Sequence, residues 1–479
     1  QCDLRAAPGQ AFGDGVVAAD RDRPIGLSLR RPAIGCDRRL AAIAIAGAQQ
    51  NQRRDDACRQ CLSCRAQRQS PLRMGCSCGR YLIASIAPHD DPDRTPVSIA
   101  ARHSRTEPVP HWITDPAPLH ALIAAAPASI GLDTEFVRER TYWPQLALVQ
   151  IAAGDALPDD GIILVDPLLP GMADALAQLL ADTRILKIMH SASEDLIAFK
   201  YFCNALPQPL FDTQIAAALC GAGAGLGYQR VLLELLDISV DKGETRSDWL
   251  RRPLSASQLH YAADDVRHLH ALHRTLCERL DAQQRMAWLQ EDCARMLINA
   301  TQDEGERWPH LGMRSAQFLD RDGQIRLLRL LRWRDTYARE HDRPRTWILD
   351  NELAQSLART PPRDLAELRA AFEGQPKAPH KLADQVFEAL QTPLPDENDL
   401  PPARGDDRDR SAYKKLQQAV AERSAELGLP DGVLASRRWI EALQDGEDWP
   451  GALSGWRRTQ LETRLAPILE SLPAATGGG

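Results

Sequence analysis

No apolar run in the chain approaches the ~20 residues that a membrane-spanning helix requires. No basic start followed by an apolar stretch and a small-residue cleavage site opens it either, so no secretory signal is visible. The expected address is cytoplasmic, with no membrane partner. Residues 1–108 lack lysine altogether and lack any sustained helical or strand period. That segment is rich in Arg, Ala, Gly and Gln, does not begin with Met, and is expected to be a disordered leader or translated upstream sequence. A disulfide-built scaffold is not needed, because 479 residues at ~150 per domain suggest about three folded units with hydrophobic cores.

Charge is present but uneven. Residues 1–108 hold 17 Arg and 11 acidic residues, a net of +6, which leaves −13 for residues 109–479. A folded region that acidic does not attract polyanions through its overall field, so any nucleic acid must be held by local features or metal ions. Seven of the 11 cysteines also lie in the first 80 residues. Cys58-x-x-Cys61-x-x-Cys64 with Cys76-x-Cys78 has the spacing of a zinc or iron–sulfur site, but the aperiodic surroundings favour the leader. Cys203, Cys220, Cys277 and Cys293 are scattered and read as reduced thiols.

From Trp112 the texture becomes periodic. A short helix is predicted over 121–128, strands over 130–136, 145–152 and 162–165, a helix over 172–181 and a buried strand over 185–189. Short links make the first three strands an antiparallel meander. Ser191, with Glu194 three residues on, predicts a capping box opening the next helix. The α/β unit runs to about residue 285, and an all-helical remainder follows, broken by a Pro- and acid-rich linker over 392–402.

Four carboxylates stand out. Asp133 and Glu135 project from one face of a strand, where two like charges normally need a compensating cation. Alone, the pair reads more often as a solvated strand face, but Ile130, Leu132 and Phe136 mark a core strand. Asp195 falls in the first turn of a helix after a buried strand, where the helix dipole favours its ionised form. His190, at that strand's end, either meets a phosphate or satisfies local backbone. Tyr261 and Asp265 are four apart on a helix and share a face beside the stripe Leu259, Ala262, Val266, Leu269 and Leu272, while Asp264 points elsewhere.

Asp133-x-Glu135, His190 to Asp195 and Tyr261-x-x-x-Asp265 resemble the three exonuclease motifs of the DEDD superfamily, in the branch with Tyr in the third motif. The wording around them is similar to that of the bacterial ribonuclease D family: Asp133-Thr-Glu-Phe-Val-Arg-Glu-Arg-Thr-Tyr-Trp-Pro-Gln145, Pro207-Gln-Pro-Leu-Phe-Asp-Thr-Gln214 and Thr245-Arg-Ser-Asp-Trp249. The resemblance runs from about His111 to the C-terminus, and residues 1–108 have no counterpart in it. It implies an α/β RNase H-like exonuclease domain over 109–300, a mixed sheet flanked by helices. All-α HRDC-like bundles would follow over 314–392 and, more divergently, 403–473. It also implies two divalent ions, and a donor set without His or Cys suits Mg2+ or Mn2+ rather than zinc. On this resemblance Asp133 bridges the ions, Glu135 and Asp265 complete the nucleophile side, and Asp195 holds the second ion. Tyr261 orients the attacking water. Thr134, Glu135 and His190 touch the terminal nucleotide.

The helical units, with Phe318, Leu319, Leu327, Leu328 and Leu331 among Arg residues, resemble nucleic-acid-binding bundles, and Arg437, Arg438, Arg457 and Arg458 beside Trp439 and Trp456 are candidate phosphate grips. The bundles are expected to be separable from the exonuclease. Gly221 to Gly227 lacks the Gly-Lys-Ser/Thr of a phosphate loop and reads as an inter-helix loop, so no nucleotide cofactor is expected. The function implied is a monomeric 3'–5' exoribonuclease acting on tRNA precursors. A DNA 3' exonuclease and an inert RNA-binding protein are the rivals, the second disfavoured by the complete carboxylate set.

Overall fold

The computed structural model describes residues 110–472, apart from 155–160, 241–242, 245–246, 303–304, 402 and 404–408. The leader with its seven cysteines, together with Thr245, Arg246 and Pro402, lies outside the described residues. Six strands form one mixed sheet: β1 (His111–Ile113), β2 (Ser129–Val137), β3 (Gln145–Ala152), β4 (Ile162–Val165), β5 (Leu186–Met189) and β6 (Leu210–Asp212). Their order is β1-β4-β3-β2-β5-β6. The β2-β3-β4 meander is antiparallel as the short links predicted, while β5 joins β2 and β6 joins β5 in parallel. The two outer strands, three residues each, were too short to register as periodic segments.

Helices cover both faces, which explains why β3 and β4 read as nearly unbroken apolar runs. On one face α1 (Ala117–Ala125), α2 (Met172–Ala181) and α3 (Ser193–Cys203) bury Leu119, Leu176, Leu179 and Phe199 against Ile130, Leu132, Val149 and Ile151. On the other lie α4 (Thr213–Leu219), α5 (Tyr228–Leu236), α6 (Ala256–Arg267), α7 (Leu269–Ala282) and α8 (Met286–Thr301). The run predicted as one helix through Leu272 breaks at His268, which ends α6 and opens α7. Gly131 in β2 admits α7 closely: a Cβ there would stand 3.1 Å from the Leu269 side chain.

A first helical bundle comprises α9 (Arg321–Glu340), α10 (Arg345–Ile348), α11 (Asn351–Arg359), α12 (Leu365–Phe372) and α13 (Ala383–Gln391), around Leu327, Leu331, Leu357 and Phe372. Asp320 caps α9 through the Gly323 amide. The Pro- and acid-rich segment after α13 is strapped back onto the bundle. Glu397 meets Arg329 and Asp396 meets Arg332 and Arg307, while Leu394 and Leu400 pack on Trp308.

The last helices, α14 (Arg410–Leu427), α15 (Arg437–Gln444) and α16 (Trp456–Glu470), correct the expectation of separability. Leu416, Leu434, Trp439, Leu461 and Leu465 share one apolar core with Leu276, Leu280 and Leu289 of α7 and α8. Arg457 is no phosphate grip: 7% exposed, it closes bidentately on Asp292 of α8 at 2.6 and 2.9 Å. Trp456 is likewise buried, stacked on Trp288 with centroids 4.3 Å apart.

Candidate active site

β2 presents Asp133 and Glu135 at the middle of the sheet, with a bulge between Glu135 and Phe136 that bends the strand beyond them. β5 ends at Met189, and Asp195 sits in the first turn of α3, as expected. The helix entry differs. Ser191 takes a left-handed φ of 60° and α3 has no side-chain cap of its own. Its opening amide, that of Ala192, is held instead by Asp212 Oδ2 at 2.9 Å, from β6. Asp212 also caps α4 through the amides of Gln214 and Ile215, so one buried carboxylate ties the two helix starts together. Glu194 pairs with Arg138 at 3.1 Å rather than closing a capping box.

α6 begins with a complete capping box, Ser255 with Gln258, which fixes the helix bearing Tyr261 and Asp265. Tyr261 and Asp265 are hydrogen-bonded to each other. Asp264 lies outside the cluster, paired with Arg267 at 2.9 Å.

Burial dominates the electrostatics of these carboxyls. Burial, then the charges of Asp195, Asp265 and Glu135, hold the Asp133 carboxyl well above the usual carboxylate range. Burial and the charges of Asp265 and Asp195 push Glu135 up to about 9. Burial raises Asp195 to about 7, against the opposing hydrogen bond from Thr134. Asp265 also rises to about 7, chiefly through burial and against the bond to Tyr261. Burial, then the neighbouring carboxylates, raise the Tyr261 phenol, which stays protonated. Among the described residues no three such side chains already converge as a metal-holding group.

Thr134 and His190 are used internally. The Thr134 hydroxyl donates to Asp195 from a buried position. The His190 ring meets Thr213 Oγ1 at 2.8 Å through Nδ1 and the Leu226 carbonyl at 3.0 Å through Nε2. Burial lowers its pKa, and Nε2, which faces a carbonyl, donates there. That arrangement favours the local structural role for His190. The carbonyl it meets belongs to the Gly221–Gly227 stretch, which does connect two helices.

Sequence reasoning passed over two residues. Asp212 was legible only as an Asp-Thr-Gln cap signal. Gln150 lies directly across from Asp133 in the register, fully buried, with neither amide atom hydrogen-bonded among the described residues. Nothing in a hydrophobic strand pattern marks it beyond its being polar.

Residues 110–281 match the family described as 3'-5' exonuclease, and residues 325–389 match the HRDC domain. Ribonuclease D of Xanthomonas oryzae pv. oryzae is 58% identical over 368 residues, spanning 76% of this chain and 100% of that protein. Ribonuclease D of Pseudomonas paraeruginosa is 35% identical over 387 residues, spanning 76% and 99%. The crystal structure of Escherichia coli RNase D, described as an exoribonuclease involved in structured RNA processing, aligns with a TM-score of 0.66 at 31% identity. That alignment covers 76% of this chain and 99% of the other.

Proposed function

This chain belongs to the ribonuclease D family of 3'–5' exoribonucleases, and from that premise we propose that Asp133, Glu135, Asp195 and Asp265 hold two divalent ions, Mg2+ or Mn2+. The observation that carries this reading is that all four carboxyls are pushed towards their protonated forms, by burial first and, at Asp133 and Glu135, by the neighbouring carboxylates as well. Four carboxyls withdrawn from water, two of them also raised by the others' charges, form a hard oxygen donor set suited to positive charge. Bound there, the ions would lower the pKa of an attacking water and neutralise the leaving 3' oxygen. Asp133, whose carboxyl feels the charges of the other three, would help hold the ions. Tyr261, protonated and donating to Asp265, orients the water rather than acting as a base. Thr134 and Asp212 act through Asp195, one by holding its carboxylate and the other by fixing the start of its helix. Water attacks the terminal phosphorus, the bond from phosphorus to the 3' oxygen breaks, and the chain's last residue leaves as a nucleoside 5'-monophosphate.

RNA is held in part by the first bundle. A groove of about 530 Å³ there is lined by Tyr337, His341, Arg343, Trp347, His380 and Lys381, with Trp347 57% exposed. An exposed indole flanked by cations suits single-stranded RNA, stacking a base while the cations meet phosphates. The substrates in this reading are tRNA precursors, processed in the cytoplasm by a monomer. No described helix is long and apolar enough to cross a membrane. The test is digestion of 5'-end-labelled RNA and DNA of one sequence, with and without Mg2+. An Mg2+-dependent ladder shortening from the RNA 3' end is expected, whereas metal-independent cleavage or a preference for DNA would contradict the reading.

A further inference from the structure

The loop that follows β2, residues 138–144, is gripped from three sides. Its Tyr142 and Trp143 amides both donate to Asp342 Oδ1, at 2.9 and 3.0 Å. The buried Tyr142 hydroxyl donates to Asp335 Oδ1 at 2.9 Å, and Arg339 and Arg345 close on that same carboxylate. On its inner side Arg138 Nε donates to the Tyr142 carbonyl at 2.8 Å while its Nη1 reaches Glu194 at 3.1 Å. The Trp143 ring stacks on Tyr201 with centroids 3.5 Å apart. Glu194 and Tyr201 both belong to α3, the helix that carries Asp195, and Arg138 stands three residues beyond Glu135.

Asp342, like Asn204 and Asp237, is a non-glycine residue with a positive φ at a helix end. It lies just past α9 with a left-handed φ of 47°, in the position that ends a helix and that glycine normally fills.

We propose that Asp342 is a positioning residue for the carboxylate centre. By clamping the loop after β2 onto the first bundle, it sets where Glu135 and Asp195 stand. The bundle is then part of the catalytic unit and acts even on substrates too short to reach it. This rests on the two-metal reading above.

The test uses the full chain with Asp342→Ala, Asp342→Asn and Tyr142→Phe. Hydrolysis of a diribonucleotide gives kcat and KM, and calorimetry gives Mn2+ affinity without turnover. Asp342→Ala should lower kcat roughly tenfold or more and weaken Mn2+ binding to a similar degree. Its KM should stay within about threefold. Asp342→Asn, whose amide oxygen still accepts both N–H groups, should recover most of each. Tyr142→Phe should weaken Mn2+ binding by about threefold. A folded Asp342→Ala with wild-type Mn2+ affinity and kcat would overturn the proposal, as would a loss that Asp342→Asn does not rescue. If Asp342→Ala does not fold, unchanged Mn2+ affinity in Tyr142→Phe overturns it. Failure of the two-metal reading shows separately, as a wild-type chain that binds no Mn2+.

Discussion

Around Asp133, burial pushes four carboxyls towards their protonated forms, and the charges of the others add to it at Asp133 and Glu135. Around Asp292 of α8, a buried carboxylate receives Arg457 at 2.6 Å, Arg295 and the Trp456 indole at 3.2 Å. The second cluster is closed upon itself and fastens α16 to α8. The first is open in charge, and that imbalance makes it a site. Buried charge alone does not distinguish function from structure, but the presence or absence of internal compensation does.

The sharpest way to break the comparison is to remove one carboxylate from each cluster. Asp133→Asn changes little volume and should reduce hydrolysis at least a thousandfold, about 4 kcal/mol of transition-state stabilisation. An RNA digestion rate within tenfold of wild type would contradict the assignment. Asp292→Ala strands the buried Arg457, a change that costs about 3–5 kcal/mol of stability. Chemical denaturation should show that loss, and a midpoint unchanged from wild type would show the clasp to be dispensable.

Proton uptake separates the clusters further. Unfolded carboxyls titrate near ~4, whereas Asp195 and Asp265 stand at about 7 and Glu135 at about 9 when folded. Between these values the folded state holds the extra protons. Metal-free stability should therefore be greatest at the acid end and fall as pH rises from ~4 towards 9. Melting in EDTA across that range checks the sign, and Mn2+ should restore more stability at pH 9 than at pH 6.

Two smaller effects test the scaffold. Gly131→Ala forces the Leu269 side chain away from β2, an overpacking worth about 1–3 kcal/mol, readable as a lower melting temperature. Removing residues 1–108 should leave melting and hydrolysis unchanged. Stoichiometric zinc on those cysteines, or a truncated chain that fails to fold, would make the segment a domain.

Much of the site was legible because its spacing obeys local periods. Asp133 and Glu135 share a strand face, and Tyr261 and Asp265 share a helix face, whatever the fold around them. The rest depends on contacts between distant segments. The cap of α3 comes from Asp212, so the local Ser191–Glu194 signal misled. The Arg-Trp pattern at Trp456-Arg457 reads equally as a phosphate grip or a solvated helix face, and the arrival of Asp292 makes it a buried clasp instead. The core that α14–α16 share with α7 and α8 was illegible for the same reason: an amphipathic stripe does not name its partner.

The central claim is that the Asp133 cluster is held in repulsion for a cation to relieve. It is tested most directly by melting wild type and Asp133→Asn at pH 8, each in EDTA and in Mn2+. The account predicts that Asp133→Asn melts higher than wild type in EDTA and gains less from Mn2+. If it melts lower in EDTA and gains as much as wild type from Mn2+, the cluster is not the metal site.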